Sequence, residues 1–527
     1  MKNITNVIIG VVLIASAIMA FYPTENDVDF SVSYNANSAE YKAERSKLAY
    51  SAASRALVSR DVIRINSDAD FTASNGVTGG TGTQSDPYII DGWEIDAQGG
   101  LAAIYIGNTT SYVIIRNCVV YNATNTSSLR YGFGAGIALY FAQNIKIENV
   151  TSRDNSKGIY FYGQYSRFNT VSNSTLDGNI YGFYARFNPN NNTFRNNTIT
   201  NSSYGIYMEI GCAYNTFENN TVSSATYYGV YFRGSYGSLW NNTVTHNTIS
   251  AGTAGIYLLD ESYNTTFSYN YIHDATYGVY MTSGLHHNVF KNNTLESNGD
   301  GFYIDNSAST ATGAIYSNLF EGNRIYNCTN EAIFTNGYYG DVYGNRFTEN
   351  TVINPGYYGI YLYDSYSNRI DNNTIKNATY YGIRFYYYGD KNTVDSNLII
   401  NSGSYAIYIV SSNYNRIYNN SFYYNHGSAA TYTTSTVQAY DSGTNYWNTT
   451  SGYGNYWYEW ANNNDTNDQN NDGIVDWAYI IDGGTAKDYY PLKTPNSYAP
   501  VVPEFNGVML IVALMLITAG VYRKKRP

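Results

Sequence analysis

The chain has 527 residues, a formal net charge of −10, only 13% charged residues, 61 Tyr and 46 Gly. Solubility that rests on neutral polar groups, with an acidic balance, argues against a nucleic-acid partner, whose phosphates call for Lys and Arg. Length alone would suggest about three domains of ~150 residues, an arithmetic that a repeat array escapes because it grows along one axis.

In chain order, Met1-Lys2-Asn3 precedes an apolar run from Val7 to Ala20, with small residues at Ser16, Ala17 and Ala20. That is the plan of a secretory signal over residues 1–25, with an uncleaved anchor left open by the continuation into Phe21-Tyr22. Residues 26–61 read as a linker or capping helix. Ser38 to Val58 carries Ala, Glu, Lys, Arg and Leu with no Gly or Pro, and a helix there would cover the open edge of a first coil.

The body, residues 62–445, is organised by a recurring Gly-aliphatic-Tyr tooth, typified by Gly205-Ile206-Tyr207. Teeth begin at Ala103, Gly136, Gly158, Gly182, Gly205, Gly229, Gly255, Gly278, Gly301, Ala332, Gly359, Gly382 and Ala406. A constant period in the range of roughly 20 to 50 residues is the mark of a solenoid, in which each repeat buries its apolar face only by stacking on the next. Within a tooth the pattern alternates with period two: in Gly158-Ile159-Tyr160-Phe161-Tyr162, Ile159 and Phe161 point one way and the tyrosines the other. Short second strands follow, as in Asn192 to Ile199, with Asn-Asn pairs at the corners, because Asn tolerates left-handed backbone and bonds locally. Two to three short strands per coil predict an all-β, right-handed parallel β-helix of about 13 coils. In the tooth, Gly205 is expected to permit the turn into the strand, Ile206 to enter the apolar column, and Tyr207 to stand outside beside Glu209. Insertions at Ala123 to Phe133 and Asn306 to Ile315 are expected to loop out from one edge.

The opening segment Gly79-Gly80-Thr81-Gly82-Thr83-Gln84-Ser85-Asp86-Pro87-Tyr88-Ile89-Ile90-Asp91-Gly92-Trp93, then Val113 to Cys118, resembles the start of the NosD-type right-handed β-helix family. So does the closing segment, from Gly454-Asn455-Tyr456-Trp457 through Asp472 to Asp476 and on to Asp488-Tyr489-Tyr490-Pro491-Leu492. The likeness covers roughly residues 62 to 492. It implies the fold firmly and leaves the function open: copper-site assembly, carbohydrate binding or cleavage, or a structural surface role.

Four sets of residues are candidates for chemistry. The outward tyrosines of successive coils, Tyr184, Tyr207, Tyr231, Tyr257, Tyr280 and Tyr303, could stack on sugar rings or on a partner protein, or simply support the sheet. Arg186, Glu209 and Arg233 occupy equivalent places in three consecutive coils and read chiefly as a charge ladder; an enzyme on this scaffold would draw its carboxylates from Glu209, Asp260 and Asp305. Residues 446–493 form a C-terminal cap in which Asp468, Asn470, Asp472 and Asp476 have the alternate spacing of a Ca²⁺ loop, with Gly473 at the sixth position; the closing Glu is missing, since position 12 is Tyr479, so a further ligand would come from Asp465 or Asp482, and an Asx-rich solvated turn is the equal alternative. For copper, only His286 and His287 adjoin among His246, His273, His286, His287 and His426, and neighbours on a strand point to opposite faces. Cys118, Cys212 and Cys328 read as small buried residues.

Residues 494–506 link to Pro503-Glu504-Phe505, and 507–527 hold an apolar run, Val508 to Val521, then Arg523-Lys524-Lys525-Arg526. That order resembles the archaeal PEF-CTERM sorting signals, which imply cleavage and transfer to a surface lipid; a permanent membrane anchor is the alternative. Sequons such as Asn122, Asn173, Asn196, Asn241, Asn292 and Asn372 are glycan acceptors on an exported chain, although corner geometry also selects Asn-Asn-Thr. The expectation is an exported surface rod, held by its C-terminal tail, with polysaccharide or envelope proteins as partners, no nucleic acid, and lateral self-association open. A carbohydrate-active enzyme is the alternative, and a copper accessory protein a more distant one.

Overall fold

The computed structural model describes residues 57–127, 134–235, 237–308, 313–462 and 468–495. Three parallel sheets of 16, 15 and 14 strands wind into a β-solenoid of about 14 turns. One coil shows the plan: Tyr204–Glu209 in the 15-stranded sheet, Thr216–Glu218 in the 14-stranded sheet, Thr221–Ala225 in the 16-stranded sheet, then Tyr228–Arg233 beginning the next coil. Two coils lie beyond the teeth visible in the sequence. Ile63–Ile65 pairs with Ile104–Ile106 at one end, and Ala439–Asp441 pairs with Ile407–Ile409 at the other. Val58, expected at the end of a helix, is instead in a strand, Val58–Ser59, on Trp93–Glu94. The rest of that helix, the signal, the Pro503-Glu504-Phe505 motif and the C-terminal run lie outside the described residues. Among the described residues no helix is long and apolar enough to cross a membrane.

The interior is a stack of like on like. Ile159, Phe183, Ile206, Val230, Ile256, Val279, Phe302 and Ile333 form one buried column. Phe267, Phe290, Phe320 and Phe347 form another, with successive ring centroids 4.8, 5.1 and 4.8 Å apart. The spacing is that of stacked coils, so each ring meets its counterpart at van der Waals contact.

The Gly of the tooth has a different reason from the one expected. Gly205 has no left-handed backbone. A Cβ there would stand 2.4 Å from Gly229 O and 2.4 Å from Val222 Cγ1. The residue is small so that the next coil can lie against it, not so that the chain can turn.

The turning is done at the Asn pairs, and the two members divide the work. The first takes a left-handed φ, 55° at Asn196 and 54° at Asn219, and faces out. The second is buried and bonds to the adjacent coils rather than locally: Asn197 N and Nδ2 both donate to Asn220 Oδ1 at 3.0 Å, while Asn197 Nδ2 also reaches Val171 O at 3.1 Å. The ladder runs unbroken from Asn197 through Asn220, Asn247, Asn270 and their successors to Asn420 and Asn455, leaving each buried amide satisfied. Its last acceptor is Asp488, whose Oδ2 takes Asn455 N at 2.7 Å and Trp457 Nε1 at 3.0 Å. Burial pushes the Asp488 carboxyl up to about 6 against those donors. Trp457, stacked on Tyr479 at 4.0 Å, closes the apolar column beside it.

Candidate functional site

The outer face of the 15-stranded sheet carries three columns of side chains, set by register. The central column is Tyr160, Tyr184, Tyr207, Tyr231, Tyr257, Tyr280 and Tyr303, continued by Phe334, Tyr361, Arg384 and Tyr408. One flank, three places before each central residue and one before the tooth, holds Tyr181, Tyr204, Tyr228, Ala254, Tyr277, Asp300, Glu331, Tyr358, Tyr381 and Tyr405. The other flank, two residues after the central column, includes Tyr162, Arg186, Glu209, Arg233, Leu259 and Thr282.

The face is not uniformly open. Tyr184, Tyr207 and Tyr231 are only 5%, 6% and 9% exposed, which corrects the expectation of an outward column free to bind along its whole length. They stack on one another at 4.9 and 4.7 Å, and the flanking Tyr181, Tyr204 and Tyr228 pack against them, making a second apolar cluster outside the coils. Tyr257, Tyr280 and Tyr303 are half-buried, with Tyr257 and Tyr280 stacked at 4.8 Å and Tyr280 against Tyr303 edge-on at 5.3 Å.

Glu209 sits in the closed half and is wholly engaged. It pairs with Arg186 Nε at 2.8 Å and accepts hydrogen bonds from Tyr184 OH and, at 3.1 Å, from Tyr207 OH. The register places Arg233 on its other side. The Lys157 amine is buried nearby and pushed down to about 7, first by burial and then by the Arg186 charge, with Glu209 pulling the other way. Arg186, Glu209 and Arg233 therefore form the lateral ladder expected of them. The structure does not bring Glu209, Asp260 and Asp305 together. Asp260 lies just beyond the ladder, accepting from Ser235 Oγ, which in turn accepts from Arg233 Nε at 3.2 Å. Asp305 lies four coils from Glu209, roughly 19 Å at ~4.8 Å per coil, and accepts Ser307 N at 3.2 Å.

A carboxylate pair that the sequence reading passed over lies in the open half. Asp300 and Glu331 occupy the flank normally held by Tyr, in adjacent coils. Asp300 Oδ1 accepts Glu331 N at 3.1 Å and Oδ2 accepts Asn330 Nδ2 at 3.3 Å. Burial, then the hydrogen bond and charge of Asp300, push Glu331 up to about 8, against a downward pull from Arg384; Asp300 is likewise raised by its burial. A side-chain hydrogen bond joins the two carboxyl groups, and two carboxyl groups in such contact share a proton rather than both ionising. The Arg384 guanidinium lies over the rings of Tyr361, Tyr386 and Tyr358 at 4.6, 4.9 and 5.0 Å and donates to Tyr358 OH at 2.8 Å. The signal was available in the position just before the tooth, where Tyr204-Gly205 and Tyr277-Gly278 give way to Asp300-Gly301 and Glu331-Ala332.

The Asp468 loop is exposed and wound on itself. Asp468 accepts Asp472 N at 3.0 Å and Gly473 N at 2.8 Å, Asp472 accepts Ile474 N at 2.9 Å, Asp476 accepts Gln469 N at 2.8 Å, and Asn470 Nδ2 donates to Asp472 at 3.0 Å. The neighbouring Asp465 lies outside the described residues. His286 and His287 differ from expectation: His287 has φ 55°, so it is not on a strand with His286, and the two Nδ1 atoms meet at 2.9 Å. Cys118, Cys212 and Cys328 are buried and separate, and burial pushes the Cys118 thiol up to about 11. Among the described residues no three His, Cys, Asp or Glu side chains are grouped to hold a metal ion.

Among solved structures the chain is similar to the Azotobacter vinelandii mannuronan C-5 epimerase AlgE4 A-module, at 14% identity over 68% of this chain and 95% of that one, with a TM-score of 0.40. It is also similar to the periplasmic alginate epimerase AlgG (12% identity, 64% and 84% covered, TM-score 0.37) and to the catalytic domain of a GH87 alpha-1,3-glucanase in complex with nigerose (15%, 67% and 66%, TM-score 0.39). No curated protein matches it. The family model described as periplasmic copper-binding protein (NosD) matches residues 90–284, 240–354 and 339–461, which together span most of the coils, and the chain belongs to the NosD family.

Proposed function

We propose that this protein is an exported surface rod that binds glycan on the open half of its aromatic face, from Tyr257 to Tyr408. One observation carries the reading: half-buried rings in register, interrupted by a proton-sharing carboxylate pair and an arginine held over three tyrosines. Rings offer flat surfaces for the apolar faces of sugars, and the half-buried Glu331 and Arg384 groups offer hydrogen bonds to hydroxyls or a carboxylate, with the buried Asp300 holding Glu331 from behind the face. Export, and anchoring through the C-terminal run, rest on the sequence alone, as does a Ca²⁺ ion on Asp468, Asn470, Asp472 and Asp476 that would stiffen the cap. Partners in the envelope and side-by-side association of rods belong to the same proposal.

The family's copper is not matched by the donors present. Among the described residues His286 and His287 supply two nitrogens with no third His, Cys, Asp or Glu grouped with them, and the thiols are buried singly. The enzyme alternative is weaker too. Glycoside cleavage uses two carboxyl groups about 5 to 9.5 Å apart, whereas Asp300 and Glu331 are in hydrogen-bond contact and Asp305 stands apart from Glu209. The test is titration of neutral and acidic oligosaccharides into the purified chain, followed by product analysis. Saturable binding without turnover is expected; turnover abolished by Glu331→Gln would replace this reading by the enzyme, and no binding across the panel would remove it.

A further inference from the structure

The geometry points to a column of N-glycan acceptors along the corner between the 14- and 16-stranded sheets, on Asn173, Asn196, Asn219, Asn292 and Asn419. Four observations converge there. Each of the five takes a left-handed φ of 51° to 56°, and each faces solvent wholly or in part. Each is followed by a buried Ser or Asn that enters the ladder, so the two adjacent polar residues have separate fates: the second is committed to the neighbouring coil and the first is not. Among the described residues none of the five finds a hydrogen-bond partner for its own Nδ2, in contrast to Asn149 and Asn372 on the same corner, whose amides are held by Asn117 Oδ1 at 2.6 Å and Asp371 Oδ2 at 3.1 Å.

The fourth observation concerns the residue two places on, which in all five is Thr or Ser at the start of the next strand. A Thr column there is explained by strand packing alone, and Thr248 and Thr351 follow His246 and Glu349 in the same way. The comparison across all corners separates the two causes. Among the described residues, fifteen of the twenty-one Asn with positive φ have Ser or Thr two places on, against ten of the twenty-seven other non-Gly residues with positive φ. If corner packing alone placed the hydroxyl, the residue at the corner would not matter. None of the fifteen has Pro between, as acceptance by an oligosaccharyltransferase requires.

The step transfers an oligosaccharide from a polyprenyl phosphate or diphosphate donor. Asn Nδ2 forms a bond to the anomeric carbon, the bond from that carbon to the phosphate oxygen breaks with its electron pair on the leaving phosphate, and the amide gives up one proton. Adjacent acceptors such as Asn196 and Asn219 are only ~4.8 Å apart along the rod, so neighbouring glycans would crowd and occupancy along Asn173, Asn196 and Asn219 should be partial. Function follows from position: the decorated corner is formed by two sheets other than the aromatic face, and sugars there would block strand-like contacts while leaving that face clear.

The experiment is glycopeptide mass mapping, with site localisation, of the full chain purified from the envelope of its own cells, beside Thr198→Val, which keeps a β-branched residue in the strand and removes the hydroxyl. Glycan mass is expected on the five acceptors, absent from the buried Asn197, Asn220 and Asn293, and lost from Asn196 in Thr198→Val. All five peptides at unmodified mass would overturn the proposal, as would modification of Asn196 that survives Thr198→Val.

Discussion

The two halves of the aromatic face are built from one repeat and have different chemistry. From Tyr160 to Tyr231 the central tyrosines are covered by a flanking row of tyrosines and tied to a ladder of half-buried Arg186, buried Glu209 and half-buried Arg233. From Tyr257 onward Ala254 removes a ring from the flank, Asp300 and Glu331 replace two more, and the ladder becomes Leu259 and Thr282. The central residue is Tyr on both sides of the divide through Tyr303. Whether it supports the rod or is free to meet a ligand is decided by its neighbours in adjacent coils.

The largest break in that comparison is expected at Glu209. Glu209→Ala leaves Arg186 and Arg233 without the carboxylate between them and removes the acceptor of the Tyr184 hydroxyl, and removing one partner of a buried pair costs about 3–5 kcal/mol. Denaturant titration should show it, whereas Asp305→Ala, on the open half and accepting a loop amide, should stay within about 0.5 kcal/mol of the parent. Equal losses at the two positions would erase the distinction between the halves.

Tyr207→Ala and Tyr280→Ala test the same divide by function. Tyr207→Ala should lower stability by about 3 kcal/mol, as a large-to-small change in a packed cluster does, and leave oligosaccharide affinity of the folded protein unchanged. Tyr280→Ala should lose about tenfold in affinity, the worth of one stacked ring at roughly 1.4 kcal/mol, with a smaller stability cost.

Glu331 gives a pH signature to the open half. Its folded value of about 8 lies above the 4.5 of an ordinary Glu, so the folded chain holds a proton that the unfolded chain releases in between. The stability this proton supports is fully present below pH 4.5 and is lost as pH rises through about 8. Thermal unfolding from pH 5 to 9 should show that loss in the parent, and Glu331→Gln, neutral throughout, should lack this component and unfold at higher temperature than the parent at pH 9. Parallel curves would place the shared proton elsewhere.

Much of the solenoid could be read from the teeth, because Gly205-Ile206-Tyr207 and its copies carry period, strand and apolar column within a few consecutive residues. What escaped depends on relations between coils. Ile63 and Ala439 head coils without a Gly-aliphatic-Tyr tooth. The role of Gly205 is a distance to Gly229 in the next coil, and the second Asn of each pair looks like the first until one is found inside a ladder and the other outside it. The closure over Tyr184 and Tyr207 required the flank to be aligned coil by coil, and the same alignment exposes Asp300 under Glu331. A sequence read tooth by tooth sees the column and misses the row.

The smallest effect belongs to the cap, where the same divide between committed and available oxygens recurs. Asp488 and Glu459 are buried and fully used, Glu459 accepting from Tyr479 OH at 2.7 Å and from Gln438 Nε2. Asp472 and Asp476 are exposed and Asp468 half-buried, and among the described residues the three accept amides of their own loop. A Ca²⁺ ion bound there would stabilise the folded chain by RT ln(1 + [L]/Kd), about 2.7 kcal/mol at a hundredfold excess over Kd, but only to the extent that the loop and cap unfold with the coils. Chelator should therefore lower the melting temperature by a few degrees in the parent and not in Asp468→Asn, while Asp488→Asn, at the end of the ladder, should lower it with or without Ca²⁺. If chelation shifts neither, the loop is an Asx-rich turn held by its own amides, and the end of the rod rests on Asp488, Trp457 and Tyr479 alone.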